Sequence, residues 1–242
     1  MDDLSGPRIL KRLIGTRFRN VEVHSSIDST QALLVTEGGR DGRVVVADHQ
    51  TAGKGRAGRS WVDVPGAMLM FSSLLRDIPA ERAGLVSLQA GVAVARAIES
   101  VARARARLKW PNDVRLDGRK VCGILGELAP SGDYVVIGIG VNVGHDEGEL
   151  PLTIAATSVR LAAGSAPRRD ELCVAILREL DGLVAGDAWL EDYRARCDTL
   201  GAQVRVELSD EQFEGVATEV RQDGTLVVDG RTVVAGDVVH VR

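Results

Sequence analysis

The chain has 242 residues, 45% of them hydrophobic and 26% charged, the profile of a soluble globular protein with enough length to bury a core. Its formal net charge of −4 argues against a chain-wide nucleic-acid coat while leaving room for a local basic loop. Three scattered cysteines (Cys122, Cys173, Cys197) without a C-x-x-C pair, and four histidines without an H-x-x-x-H pattern, argue against a disulfide framework or a zinc site. The start, Met-Asp-Asp, has no signal pattern, and the most apolar stretch, 84–95, is interrupted by Ser87 and Gln89 and too short for a bilayer. The expectation is a cytoplasmic protein.

In chain order, residues 7–14 predict a short helix with Pro7 in its first turn. A second helix starts near Ser29 and Thr30, either of which can cap it. Residues 44–47 form an apolar strand run leading into a glycine-rich loop, and 67–75 read as another strand. Leu85, Leu88, Val92 and Ala95 recur at helical spacing and predict a long amphipathic helix over 81–103. Short strands are expected at 107–110, 123–128 and 134–141, and a helix over 170–184 with Leu172, Ile176, Leu180 and Leu183 on one stripe. After about residue 198 the period becomes two: Val204, Val206 and Leu208, then 213–220, 225–228 and 238–241, separated by turns such as Asp223-Gly224 and Asp229-Gly230. This predicts a larger unit of mixed helices and strands over 1–197 and an all-β module of about five strands over 198–242.

Residues 50–61, Gln-Thr-Ala-Gly-Lys-Gly-Arg-Ala-Gly-Arg-Ser-Trp, carry the most information. Glycines let backbone N–H groups approach a ligand, and Lys54, Arg56 and Arg59 add three positive charges suited to carboxylate or phosphate oxygens. Trp61 is placed to cover a flat ring. Gly53, Gly55 and Gly58 spell G-x-G-x-x-G, but the loop runs into a turn and a strand rather than a helix, so the dinucleotide fingerprint fails on context. A solvated basic loop, or one touching nucleic acid, has the same composition.

A second constellation is Lys109-Trp-Pro-Asn-Asp113 followed by 119–127, Arg-Lys-Val-Cys-Gly-Ile-Leu-Gly-Glu. An Asp117-Gly118 turn folds it into a hairpin whose arms bring Lys109 and Lys120 toward one region. Lysines facing a cationic loop repel unless anions lie between them, which suits a site for ATP phosphates and a carboxylate; two lysines on separate solvated faces is the ordinary alternative. Third, 135–143 is a buried strand ending in Gly138, Gly140 and Asn142, and glycine within a strand suggests close approach by a ligand or another backbone.

Together these segments resemble the biotin–protein ligase family. Residues 53–61 are similar to its G-R-G-R-x-G-R-x-W signature, 109–113 to K-W-P-N-D, 119–125 to R-K-x-x-G-I-L, 138–142 to G-x-G-x-N, and 28–31 to its S-T-N segment. The resemblance implies an α+β fold: a class II aminoacyl-tRNA-synthetase-like catalytic domain, with a mixed sheet and flanking helices, plus a small C-terminal SH3-like β-barrel. It implies that Ser29, Thr30, Gln31 and Gln50 meet biotin, with Gly123 and Gly138 shaping the pocket, and that Lys54, Gly55 and Arg56 order over biotin and its adenylate. Lys120 matches the lysine at the reacting carboxylate and phosphate, so Lys120 and Arg56 are the catalytic candidates. Arg59, Trp61, Lys109, Asn112 and Asn142 fall on the ATP side, and Asp113 supports the site through metal or water. Three departures stand out: Lys54 for the family's Arg, Gln31 for Asn, and Met68 where relatives often carry a polar Asn. Only 28 residues precede Ser29, which predicts the monofunctional type without a DNA-binding domain.

The implied reaction is ATP-dependent activation of biotin as biotinyl-AMP, with Mg²⁺ bound mainly through ATP, then transfer to a lysine of a biotin carboxyl carrier protein. No nucleic-acid or membrane partner is expected, and the state is monomer or homodimer. Rival readings are a lipoate or octanoate ligase of the same fold, a nucleic-acid-binding module using the Gly/Arg loop, and a vitamin-binding protein without catalysis.

Overall fold

The computed structural model describes residues 3–151, 154–186 and 188–241; the opening Met1 and Asp2 of the sequence lie outside them. Strands β1 (Asn20–His24), β2 (Arg43–Ala47), β3 (Met68–Arg76), β4 (Ala106–Lys109), β5 (Asp113–Leu116), β6 (Arg119–Leu128) and β7 (Tyr134–Asn142) form a seven-stranded sheet in the order β1-β2-β3-β7-β6-β5-β4. Only β1 and β2 are parallel; every other neighbouring pair is antiparallel. The mixed sheet expected for the family resemblance is present.

Side chains alternate across this sheet, and the two faces have different neighbours. Val44, Val46, Leu69, Phe71, Val135, Ile137, Ile139 and Val141 join the main core, beneath helices α3 (Ala83–Ala102) and α5 (Arg169–Val184). Val45, Leu74, Tyr134 and Val136 form a second cluster with Leu34 of helix α2 (Thr30–Glu37). Beyond α2 the same face is floored by Met70, Ser72, Leu125 and the glycines Gly123, Gly138 and Gly140. That is where the site lies.

Helix α3 covers most of the predicted 81–103 segment. By length and composition, residues Ala80–Ala102 are apolar enough to cross a membrane, longer than the 84–95 stretch visible as a continuous run. Here the helix is a core element, with Leu85, Leu88, Val92 and Ile98 buried. Helix α1 (Gly6–Arg12) ends two residues before the predicted limit. Two short helices carry no sequence signal, α4 (Val159–Ala163) and α6 (Trp189–Arg196). In α6 only Trp189 and Tyr193 are buried, so it shows no apolar stripe. Strand β1 is not among the predicted elements: its five residues alternate, but it is a short edge strand in which none is fully buried. The hairpin at Asp117 and Gly118 is present, and its return strand starts at Arg119, four residues earlier than expected.

The second sheet contains β8 (Gln203–Glu207), β9 (Gln212–Val220), β10 (Leu226–Val228), β11 (Arg231–Val233) and β12 (Asp237–His240), in the order β11-β10-β9-β8-β12, wholly antiparallel. It has five strands, as expected, including β11, which the period-two pattern does not reveal. It packs on the first sheet: Trp110 Nε1 donates to Gly224 O at 3.0 Å, and the Trp110 backbone N donates to Thr199 Oγ1 at 3.0 Å.

Gly42 precedes β2 with φ +75°, and a Cβ there would lie 2.0 Å from the Arg17 carbonyl oxygen. The clash is with backbone, so neither partner can swing away. Gly42→Ala is expected to cost about 3 kcal/mol or more, combining left-handed strain and overpacking. In a thermal melt this should appear as a Tm lower by roughly 6–12 °C; an unchanged Tm would mean the 15–43 turn region does not fold as described.

Candidate active site

One cavity of about 600 Å³ lies between the open face of the first sheet, the 53–61 loop and the edge of the second sheet. Every site residue expected from the sequence lines it: Ser29, Thr30, Gln31, Gln50, Lys54, Gly55, Arg56, Arg59, Trp61, Lys109, Asn112, Asp113, Lys120, Gly123, Gly138 and Asn142.

One end is a hydrogen-bonding pocket under the N-terminus of α2. Ser29 caps that helix, its Oγ accepting from Ala32 N at 3.3 Å. Gln50 Oε1 accepts from Thr30 N at 2.8 Å and from Thr30 Oγ1 at 3.1 Å. Thr30 Oγ1 lies 2.9 Å from Ser72 Oγ, which donates to Gln31 Oε1 at 3.1 Å, while Gln31 Nε2 donates to Val136 O at 3.2 Å. Each hydroxyl has a single hydrogen. The chain Gln50–Thr30–Ser72–Gln31 therefore has more oxygen lone pairs than protons and suits a ligand that donates N–H groups. Ser72, one of two adjacent buried serines in a mostly apolar strand, is a member that no sequence motif points to.

The floor follows from register. Gly138 pairs with Ser72 on one side and Leu125 on the other; Gly140 pairs with Met70 and Gly123. A Cβ on Gly138 would lie 2.6 Å from Gln31 Oε1. Cβ atoms on Gly123 and Gly140 would each come within 2.7 Å of the Trp61 ring. The two facing glycines are thus a seat for the indole, which here lies on the sheet, with Lys120 Nζ 5.6 Å from its centroid.

The 53–61 loop is a small flap. Lys54 bridges Ser60, Trp61 N donates to Gly53 O at 2.9 Å, and Arg56–Gly58 make a single 3₁₀ turn. Arg56 Nη1 donates to Asn112 Oδ1 at 3.0 Å, and Asn112 Nδ2 donates to Ile124 O at 2.9 Å, so the flap is tied to the Trp-Pro-Asn-Asp hairpin. Burial pushes the Arg56 guanidinium below its ordinary value and neighbouring Arg59 adds to this, while Asp237 and Asp113 oppose it. Burial also lowers Lys109; Asp113 works against that, and Arg115 and Lys120 reinforce it.

Lys109 on β4 and Lys120 on β6 do line one cavity, but as strands on either side of β5 rather than as the two arms of a single hairpin, and the counter-charge is built in: Lys120 Nζ lies 2.6 Å from Asp113 Oδ1. That ion pair gives Asp113 a defined place. Among the described residues no three His, Cys, Asp or Glu side chains gather as a metal cluster. Asn142 is buried and donates from Nδ2 to Thr157 O at 3.0 Å. Next to it, His145 is a buried lining residue without a motif to mark it; burial lowers its pKa, against the pull of Glu149 and Asp63. Asp237 and Val239, from β12, also line the cavity. The three cysteines are buried and free, with burial raising each thiol pKa.

Five cations around one cavity, joined to a pocket of surplus acceptors, define a site that gathers anionic groups beside a neutral hydrogen-bonding one. Residues 23–143 match the biotin/lipoate A/B protein ligase family. The chain is 39% identical to the biotin–[acetyl-CoA-carboxylase] ligase of Mycobacterium tuberculosis, over 94% of this chain and 91% of that one. The same enzyme of Paracoccus denitrificans is 33% identical, over 84% and 91%. Among solved structures, the biotin protein ligase of Aquifex aeolicus in complex with biotin and ATP has a TM-score of 0.81 at 29% identity, covering 93% of this chain and 100% of that one. The chain belongs to the biotin/lipoate A/B protein ligase family.

Proposed function

We propose that this protein is an ATP-dependent biotin–protein ligase, which joins biotin to AMP with release of pyrophosphate and then transfers the biotinyl group to a lysine of a biotin carboxyl carrier protein. The observation that carries the reading is the single cavity in which the Gln50–Thr30–Ser72–Gln31 pocket opens beside Lys120, Arg56, Arg59 and Lys109.

Biotin's ureido N–H groups suit the surplus lone pairs at the α2 end, and the gap left by Gly138 gives room for the ring. The carboxylate then points toward Lys120. Biotin carboxylate and the ATP α-phosphate repel each other, so cations must hold them in line; Lys120 and Arg56 are the catalytic candidates, and Lys54 and Gly55 close over the product. Arg59, Trp61, Lys109, Asn112 and Asn142 form the nucleotide side. Mg²⁺ needs few protein ligands when phosphates supply oxygens. It would enter on ATP, with Asp113 as the carboxylate beside Lys120, and would neutralise phosphate charge. The mixed anhydride must be kept from water, which the flap provides. The carrier amine then attacks the acyl carbon and AMP leaves; no cysteine takes part. We read residues 1–197 as the catalytic unit, 198–242 as an SH3-like appendage, and the setting as cytoplasmic.

The direct test is mass spectrometry of a carrier domain incubated with the protein, Mg-ATP and either biotin or lipoate. A biotinyl adduct on one lysine is the expected result; a lipoyl adduct alone, or none, refutes the assignment. Gly138→Ala should raise the biotin KM about tenfold, the equivalent of one lost hydrogen bond, because its Cβ displaces the Gln31 amide. Steady-state kinetics showing a shift in ATP KM instead would reverse the assignment of the two ends.

A further inference from the structure

The flap is also held by the second sheet. Arg59 Nη2 donates to Asp237 Oδ1 at 3.0 Å, and Arg56 Nη2 donates to the Gly236 carbonyl at 3.2 Å. Arg59 Nε closes back on the Arg56 carbonyl at 3.1 Å, so the two arginines form one unit spanning the flap and the start of β12. Gly236 has φ +154°, and a Cβ there would lie 2.8 Å from Leu208 Cδ2; the backbone that presents this carbonyl is packed against the β8 end of the sheet.

We propose that Asp237 is a positioning residue for the ligase reaction: its carboxylate anchors Arg59, and through it Arg56, so that the flap stands ordered over the cavity before ligand arrives and stays over the adenylate once it forms. The retention half rests on the ligase reading above; the anchoring half does not. Three features favour anchoring over a purely structural ion pair. Asp237 is partly exposed, its side chain 35% accessible and that of Arg59 60%, and pairs so open contribute little to global stability. Its partners are two cations of the anion-binding loop rather than core residues. A guanidinium has five N–H donors, so Arg59 can keep Asp237 and Arg56 O while turning its remaining donors to phosphate. Binding nucleotide therefore does not require releasing the anchor. This assigns the second sheet a part in the chemistry: it carries the fixed end of the lid.

The test uses the full chain and the variants Asp237→Asn, which keeps shape and removes charge, and Asp237→Glu, which keeps charge. Backbone hydrogen exchange of residues 53–60 is measured on the ligand-free protein. The Asn variant should exchange there about tenfold faster while β3, β7 and β8 keep wild-type protection, and the Glu variant should restore most of the protection. Unchanged flap exchange in Asp237→Asn overturns the proposal. Given biotin and Mg-ATP without carrier, the Asn variant should then release biotinyl-AMP several-fold faster; faster exchange without faster release overturns the retention half. A chain that labels no carrier would sink the ligase reading and leave the exchange result standing.

Discussion

Lys120→Ala is expected to slow biotin-dependent ATP–pyrophosphate exchange by about 10²–10³-fold, the range found for removing one preorganised donor from a developing oxyanion. Lys120 sits on the return arm of the hairpin, held 2.6 Å from Asp113 and above the Trp61 ring, between the biotin end of the cavity and the flap. No other cation in the cavity is so placed. Lys109 is on β4, separated from Lys120 by the whole of β5, and Arg56 is engaged with Asn112 and Gly236. The substitution also leaves Asp113 partly buried without its lysine, a cost of roughly 1–3 kcal/mol. A melt should therefore show a Tm lower by only a few degrees per kcal/mol, with the fold intact. Exchange at the wild-type rate would remove Lys120 from the reaction.

Arg56→Gly should act on the second half of the cycle. The side chain makes two hydrogen bonds, one to each wall of the site, through Asn112 and Gly236. Hydrogen bonds from a charged group are worth about 1.5–3 kcal/mol each, so losing both should speed escape of biotinyl-AMP by about 100-fold or more. The escaped anhydride acylates any exposed lysine it meets. The measurable outcome is biotin spread over bystander proteins in a mixture with carrier. Labelling confined to the carrier lysine would show that Arg56 does not retain the intermediate. The outer tether, Arg59 to Asp237, remains in this variant, so Arg56→Gly and Asp237→Asn should be distinguishable by flap exchange at Arg59 and Ser60.

The sequence predicts well where a residue's role depends on its near neighbours. The glycine-and-arginine loop, the Trp-Pro-Asn-Asp turn and the alternation ending in Gly138 and Gly140 all announce a ligand through local chemistry, and the site residues named from those motifs all line the cavity. Elements with little apolar pattern are harder. Strand β1 alternates over only five residues and buries none of them fully, and α6 buries only two of its residues, so neither carries an apolar pattern long enough to stand out. Ser72 is invisible for a related reason: within Met68–Arg76 nothing local separates it from its buried neighbour Ser73, and only the approach of Thr30 and Gln31 gives its hydroxyl a purpose.

By itself, then, the sequence determined the inventory: which side chains can gather anions, where the chain must turn, and which strand faces must be apolar. Those properties reside in single residues and short spacings. Pairings between distant residues were decided by the tertiary structure alone. Gly123 faces Gly140 because burial of the alternate side chains sets the β6–β7 register, and that register builds the seat for Trp61. Asp113 reaches Lys120 across a hairpin, and Asp237 reaches Arg59 from a strand 178 positions further along the chain. A carboxylate at such a distance carries no sign of its partner in its own neighbours, because the packing of one sheet against another is what brings the charges together.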